Sequence, residues 1–128
     1  MAIDYFAESH KYAKYNNRIL LHPGSGGKRK NPTTAELSKI LQERALTPAN
    51  TDILIGDAER DNPELLELFD GYDCISDITD YIELAGIIKS HKYFIGCDSG
   101  VSHLAGLCGV QGIVYFKFPN FEIWRPFN

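Results

Sequence analysis

The sequence predicts an α/β domain in which a parallel sheet is layered between helices. Three observations carry this. Short apolar, β-branched runs alternate with segments of helical period from residue 18 onward. Each run is closed by a turn of glycine, proline or small polar residues. The most polar and glycine-rich loops each follow directly after a predicted strand. Repeated strand-helix units of this length build a parallel sheet with helices on both faces.

Residues 4–16 place Tyr5, Tyr12 and Ala13 on one side of a helix outside the repeat, so 1–17 reads as a connector helix and 18–128 as the domain. Arg18-Ile19-Leu20-Leu21-His22 is the first strand, closed by Pro23-Gly24-Ser25-Gly26-Gly27. After Pro32, Thr33-Thr34-Ala35-Glu36 spells a capping box, and Leu37, Ile40 and Leu41 continue one helical face. Asp52-Ile53-Leu54-Ile55-Gly56 is the second strand. Asn62-Pro63-Glu64 opens a helix carrying Leu65, Leu66, Leu68 and Phe69. Asp73-Cys74-Ile75 is a short third strand. Asp80-Tyr81-Ile82-Glu83 then opens a helix with Tyr81, Leu84, Ala85 and Ile88 on one face. Lys92-Tyr93-Phe94-Ile95 is a buried strand, and Val101, Leu104, Ala105 and Cys108 follow at helical spacing. Gly112-Ile113-Val114-Tyr115-Phe116 is the last predicted strand.

Composition sets the class. The chain has 128 residues, 44% hydrophobic and 23% charged, which fits one globular domain able to bury a core. A net charge of −4 argues against a general nucleic-acid binder. No apolar run approaches the roughly 18–20 residues that span a bilayer, and the first residues lack the pattern of a signal peptide. Cys74, Cys97 and Cys108 show no paired spacing and read as reduced, structural thiols of a cytoplasmic protein. His10, His22, His91 and His103 show no metal-ligand spacing, and His10 and His91 are expected on the surface.

Ligands of open α/β sheets sit beyond the carboxyl ends of the strands. Three loops lie there. In the first, Gly24, Ser25, Gly26 and Gly27 form a nest of exposed N–H groups, with Lys28, Arg29 and Lys30 supplying charge for an anion. It is not a Walker loop, since Arg29 follows Gly27-Lys28 and His22 stands five positions before Gly27. The bland alternative is a solvated basic loop. The second loop holds Asp57, Glu59 and Asp61. A carboxylate here commonly accepts ribose hydroxyls; Asp57 and Asp61 read as solvated, and Glu59 fits either role. The third is the turn from Gly96 to Gly100, where Asp98, Ser99 and His103 surround a helix start whose free N–H groups favour an anion. A serine-hydrolase triad is excluded there, because all three side chains come from one turn and the G-x-S-x-G spacing is absent.

Together the loops resemble glycosyltransferase family 9, the heptosyltransferases of lipopolysaccharide core assembly, in their C-terminal half. The matching pieces run in family order: Leu21 to Gly27 with Lys30-Asn31, Gly56-Asp57-Ala58-Glu59, Glu83 to Ile88, Gly96 to Ala105, and Phe116 to Pro126. The resemblance implies the C-terminal half of a GT-B fold, a Rossmann-like three-layer domain that binds a nucleotide-sugar, typically ADP-heptose. It implies an inverting transfer to a lipopolysaccharide-type glycan, with no metal or other cofactor. The acceptor domain and its general base would lie outside this chain, which alone would bind donor without turnover. The implied location is cytoplasmic, at most peripheral to the inner face of the bacterial inner membrane. By the resemblance, Gly24, Ser25, Gly26 and Gly27, Lys28 or Lys30, and Ser99, Gly100 and His103 would hold the diphosphate. Glu59 would take the ribose, and Asp98 would face the sugar as the donor-side catalytic residue. Two departures alter the loops: Lys30-Asn31 runs directly into Pro32 without the usual tryptophan, and Phe116-Lys117-Phe118-Pro119 lacks the usual glycine. A nucleotide- or phosphate-binding module without transfer, and a donor half using a UDP-sugar, are the alternative functions.

Overall fold

The computed structural model describes residues 13–24, 32–78, 80–97, 100–116 and 122–127. The expected connector helix falls mostly on residues 4–12, outside the described residues; Ala13–Tyr15 forms one 3₁₀ turn.

The strands are β1 (Ile19–His22), β2 (Thr51–Leu54), β3 (Asp73–Ile75), β4 (Tyr93–Cys97), β5 (Gly112–Phe116) and β6 (Glu122–Phe127). The helices are α1 (Thr34–Glu43), α2 (Asp57–Arg60), α3 (Pro63–Leu68), α4 (Tyr81–Ser90) and α5 (Gly100–Leu107). The sheet has the order β3-β2-β1-β4-β5-β6. Its first five strands run parallel, which makes the chain a Rossmann-like α/β domain.

Local signals account for the helix starts. Thr33 accepts from the Glu36 N–H while the Glu36 side chain accepts from the Thr33 N–H, a complete capping box. Asn62 caps α3 with Pro63 in its first turn, and Asp80 caps α4 through the Ile82 N–H.

Each face of the sheet buries its own cluster. On one, Leu37 and Ile40 of α1 and Leu65 of α3, with Phe69, pack on Leu21, Ile53 and Ile95. On the other, Leu84, Ile87 and Ile88 of α4 and Ala105 of α5 pack on Leu20, Leu54 and Phe94. The adjacent strands β1 and β4 therefore send their following helices to opposite faces. Their carboxyl ends, paired as His22 with Gly96, border the crevice of a topological switch point.

The structure corrects four expectations. Glu122–Phe127 is a sixth strand, antiparallel to β5 at the sheet edge, where the missing N–H of Pro126 is tolerated. The second loop coils into α2. Tyr81 is exposed, since as the first residue of α4 it lies one turn short of Leu84, the first position to reach the core. His91 is buried, because Asp52 of β2 and the Ile87 carbonyl of α4 offer its ring polar partners. The expected α5 face is observed, with Ala105 buried and Val101, Leu104 and Cys108 packed against its cluster.

Candidate functional site at the carboxyl edge of the sheet

β1 ends at the switch point and delivers His22, Pro23 and Gly24 to its mouth. β2 ends nearby and turns at Gly56 into α2. This short helix returns Glu59 toward β1, because Glu59 reaches back to its own helix start: the Gly56 N–H donates to Glu59 Oε1 at 3.0 Å.

The carboxylate is buried, 6% exposed. Its Oε1 lies 3.3 Å from His22 Nε2. Gly24 crosses it so closely that a Cβ there would stand 2.5 Å from Oε2 and 2.7 Å from Oε1. A side chain at position 24 would have to displace the Glu59 carboxylate from its Gly56 and His22 partners. Burial pushes the Glu59 carboxyl up, but His22 and the backbone N–H groups of Gly56 and Glu59 outweigh it and hold the group below its ordinary value. The chain thus presents a fixed negative charge beside the switch point, tied to both loops.

His22 was not among the site residues expected from the sequence. It is 5% exposed, and its Nδ1 is enclosed with no hydrogen-bond partner among the described residues. The available signal was its place as the last strand residue before a glycine-rich loop.

β4 closes the other wall. Gly96 is tightly enclosed: a Cβ there would meet Ser102 Oγ at 2.6 Å. The Ser102 hydroxyl donates to the Cys97 carbonyl at 2.5 Å, and the Cys97 thiol faces the Pro23 carbonyl at 3.9 Å. These contacts tie the start of α5 to β4 and β4 to the first loop. His103 is exposed on α5.

Of the expected site residues, the structure brings Gly24 and Glu59 together and places Gly100 at the start of α5. Ser25, Gly26, Gly27, Lys28, Lys30, Asp98 and Ser99 lie outside the described residues, as do Lys117, Phe118 and Pro119. Asp61 is exposed, as expected. Among the described residues, no cluster of His, Cys, Asp and Glu could hold a metal ion, and no helix is long and apolar enough to cross a membrane.

A second polar cluster sits at the opposite, amino edge. Asp52 is 2% exposed. Arg18 Nε donates to Asp52 Oδ1 and Oδ2 at 3.1 and 3.0 Å, while His91 Nε2 lies 2.8 Å from Oδ2. His91 Nδ1 meets the Ile87 carbonyl at 2.8 Å, and Tyr15 stacks on the ring with centroids 4.7 Å apart. Arg18 Nη1 also donates to the Ala49 carbonyl and Nη2 to the Pro48 and Thr51 carbonyls. These bonds join segments far apart in the chain, so the cluster is a clamp between them. None of the three cysteines is in a disulfide. Burial pushes Cys74 and Cys108 up, with Asp73 adding to the effect on Cys74 and Lys89 opposing it at Cys108, so neither supplies a ready thiolate.

Scans of the chain against protein-family models, curated proteins and solved structures find no match.

Proposed function

We propose that this domain binds a nucleoside diphosphate sugar at the carboxyl edge of its sheet, as the donor-binding half of an inverting glycosyltransferase of the heptosyltransferase type. The observation that carries the reading is the ionised, buried Glu59 beside the switch point, where open α/β sheets take their ligands. A carboxylate held there accepts ribose hydroxyls. The loop from Gly24 to Lys30 and the turn from Asp98 to His103 supply the residue types that bind phosphates. ADP-heptose is the proposed donor and a lipopolysaccharide-type glycan the acceptor. Transfer requires a second domain that supplies the base. Fixed donors aimed at the leaving diphosphate would stabilise its developing charge.

A phosphate-binding module with no transferase role is favoured by one observation: Glu59 already has Gly56 and His22 as partners and needs no ribose to satisfy it. Titration with ADP, UDP and inorganic pyrophosphate, followed by amide resonances, separates the readings. Under the donor reading ADP perturbs Gly24, Gly56, Glu59 and Gly100, and UDP competes poorly. Glu59→Gln then weakens ADP by about 1–3 kcal/mol, the range for a hydrogen bond to a charged group, and leaves pyrophosphate nearly unchanged. Equal losses for both ligands would remove Glu59 as the ribose reader, and perturbations elsewhere would remove the site.

A further inference from the structure

We propose that His22 is a proton-linked residue of this site, taking up a proton at Nδ1 when a nucleoside diphosphate binds. The inference rests on the nucleotide reading of the same carboxyl-edge site and adds a residue and a regulation to it. His22 ends β1 at the switch point, two positions after Leu20, whose side chain belongs to the face covered by α4 and α5. Strand alternation puts the imidazole on that same face, alongside Gly96 of β4, where Ser102 of α5 also packs.

The two ring nitrogens have different surroundings. Nε2 faces the Glu59 carboxylate at 3.3 Å. An ionised carboxylate only accepts, so Nε2 carries the hydrogen of the neutral ring and Nδ1 keeps a lone pair. Nδ1 is enclosed and has no partner among the described residues. A lone pair is tolerable there, but an added N–H without an acceptor is costly. A diphosphate arriving at the crevice changes that balance, because it brings several negative charges into a site of reduced dielectric. The imidazolium form then answers Glu59 with one N–H and the phosphate field with the other.

Among the described residues Glu59 of α2 faces the ring directly; the elements beside it also carry the Cys97 thiol at the end of β4, which contacts the Pro23 carbonyl, and the exposed His103 of α5. Lys28, Arg29, Lys30 and Asp98 are the charged neighbours in sequence. Because His103 is a second candidate for any proton taken up, the test must resolve individual rings.

The intact domain, labelled with ¹⁵N, is titrated with ADP at pH 7.5 while the ring nitrogens of its four histidines are followed, each assigned through bonds from its backbone. Calorimetry in buffers of high and low ionisation enthalpy counts the protons. The expected result is that His22 Nδ1 moves from the lone-pair to the N–H signature, with uptake approaching about one proton per ADP. In His22→Gln, which keeps an amide donor toward Glu59 but cannot titrate, the uptake should disappear. ADP binding that leaves the His22 ring unchanged overturns the inference and spares the nucleotide reading; so does uptake that follows His103 instead. If ADP neither perturbs the carboxyl-edge amides nor gives heat, the nucleotide reading falls and this inference with it.

Discussion

At Gly24 the backbone passes over a buried carboxylate with no space for a methyl group. Gly24→Ala should lower stability by about 1–3 kcal/mol, the usual cost of overpacking, and thermal melting would show it as a drop of several degrees. An unchanged midpoint would mean that the first loop does not rest on Glu59. The depressed titration of Glu59, which His22 and the Gly56 and Glu59 N–H groups cause against the effect of burial, gives the contacts of its carboxylate a pH signature of their own. Its folded value lies below its unfolded one, so the stabilisation is complete above the ordinary carboxylate range and is lost as pH falls through the folded value. The stability gap between the wild type and Glu59→Gln should therefore hold at neutral pH and close on acidification, as read by urea unfolding at a series of pH values. A gap that widened on acidification would contradict the direction of the shift. The sequence made Glu59 visible as a carboxylate after a strand. It did not reveal the burial, which depends on α2 coiling back toward a strand that comes much earlier in the chain.

Elements are held in register at the amino edge by the Arg18–Asp52–His91 cluster. It joins the residue before β1, the second residue of β2 and the residue after α4. Removing one partner of a buried ion pair leaves the others uncompensated, so Asp52→Ala should cost about 3–5 kcal/mol in chemical denaturation. A loss below about 1 kcal/mol, the level of a surface pair, would show that the cluster does not clamp these segments. Its histidine looked like a surface residue because no periodicity flags a ring whose partners lie in a strand and a helix end far apart in sequence. The helix starts were legible, since Thr33 with Glu36, Asn62 with Pro63, and Asp80 are local chemistry. β6 was not: Pro126 weakens any strand reading, and only the neighbouring edge of β5 makes the pairing favourable.

The molecule as a whole follows the strand-helix alternation seen along the chain, and the switch point follows from the helices after β1 and β4 packing on opposite faces. The central sheet also partitions the interior. Leu37 is fully buried on one side and Ile88 on the other, in clusters with no member in common. Energies of distant, unconnected sites add. Leu37→Ala and Ile88→Ala should each cost about 2–5 kcal/mol, and their double mutant should match the sum within about 0.5 kcal/mol. A larger deviation, measured in a denaturation cycle, would mean that strain crosses the sheet. Independence of this kind gives the fold mutational insulation: one helical layer can be repacked, or surrendered to an interface with another domain, without altering the energetics of its counterpart.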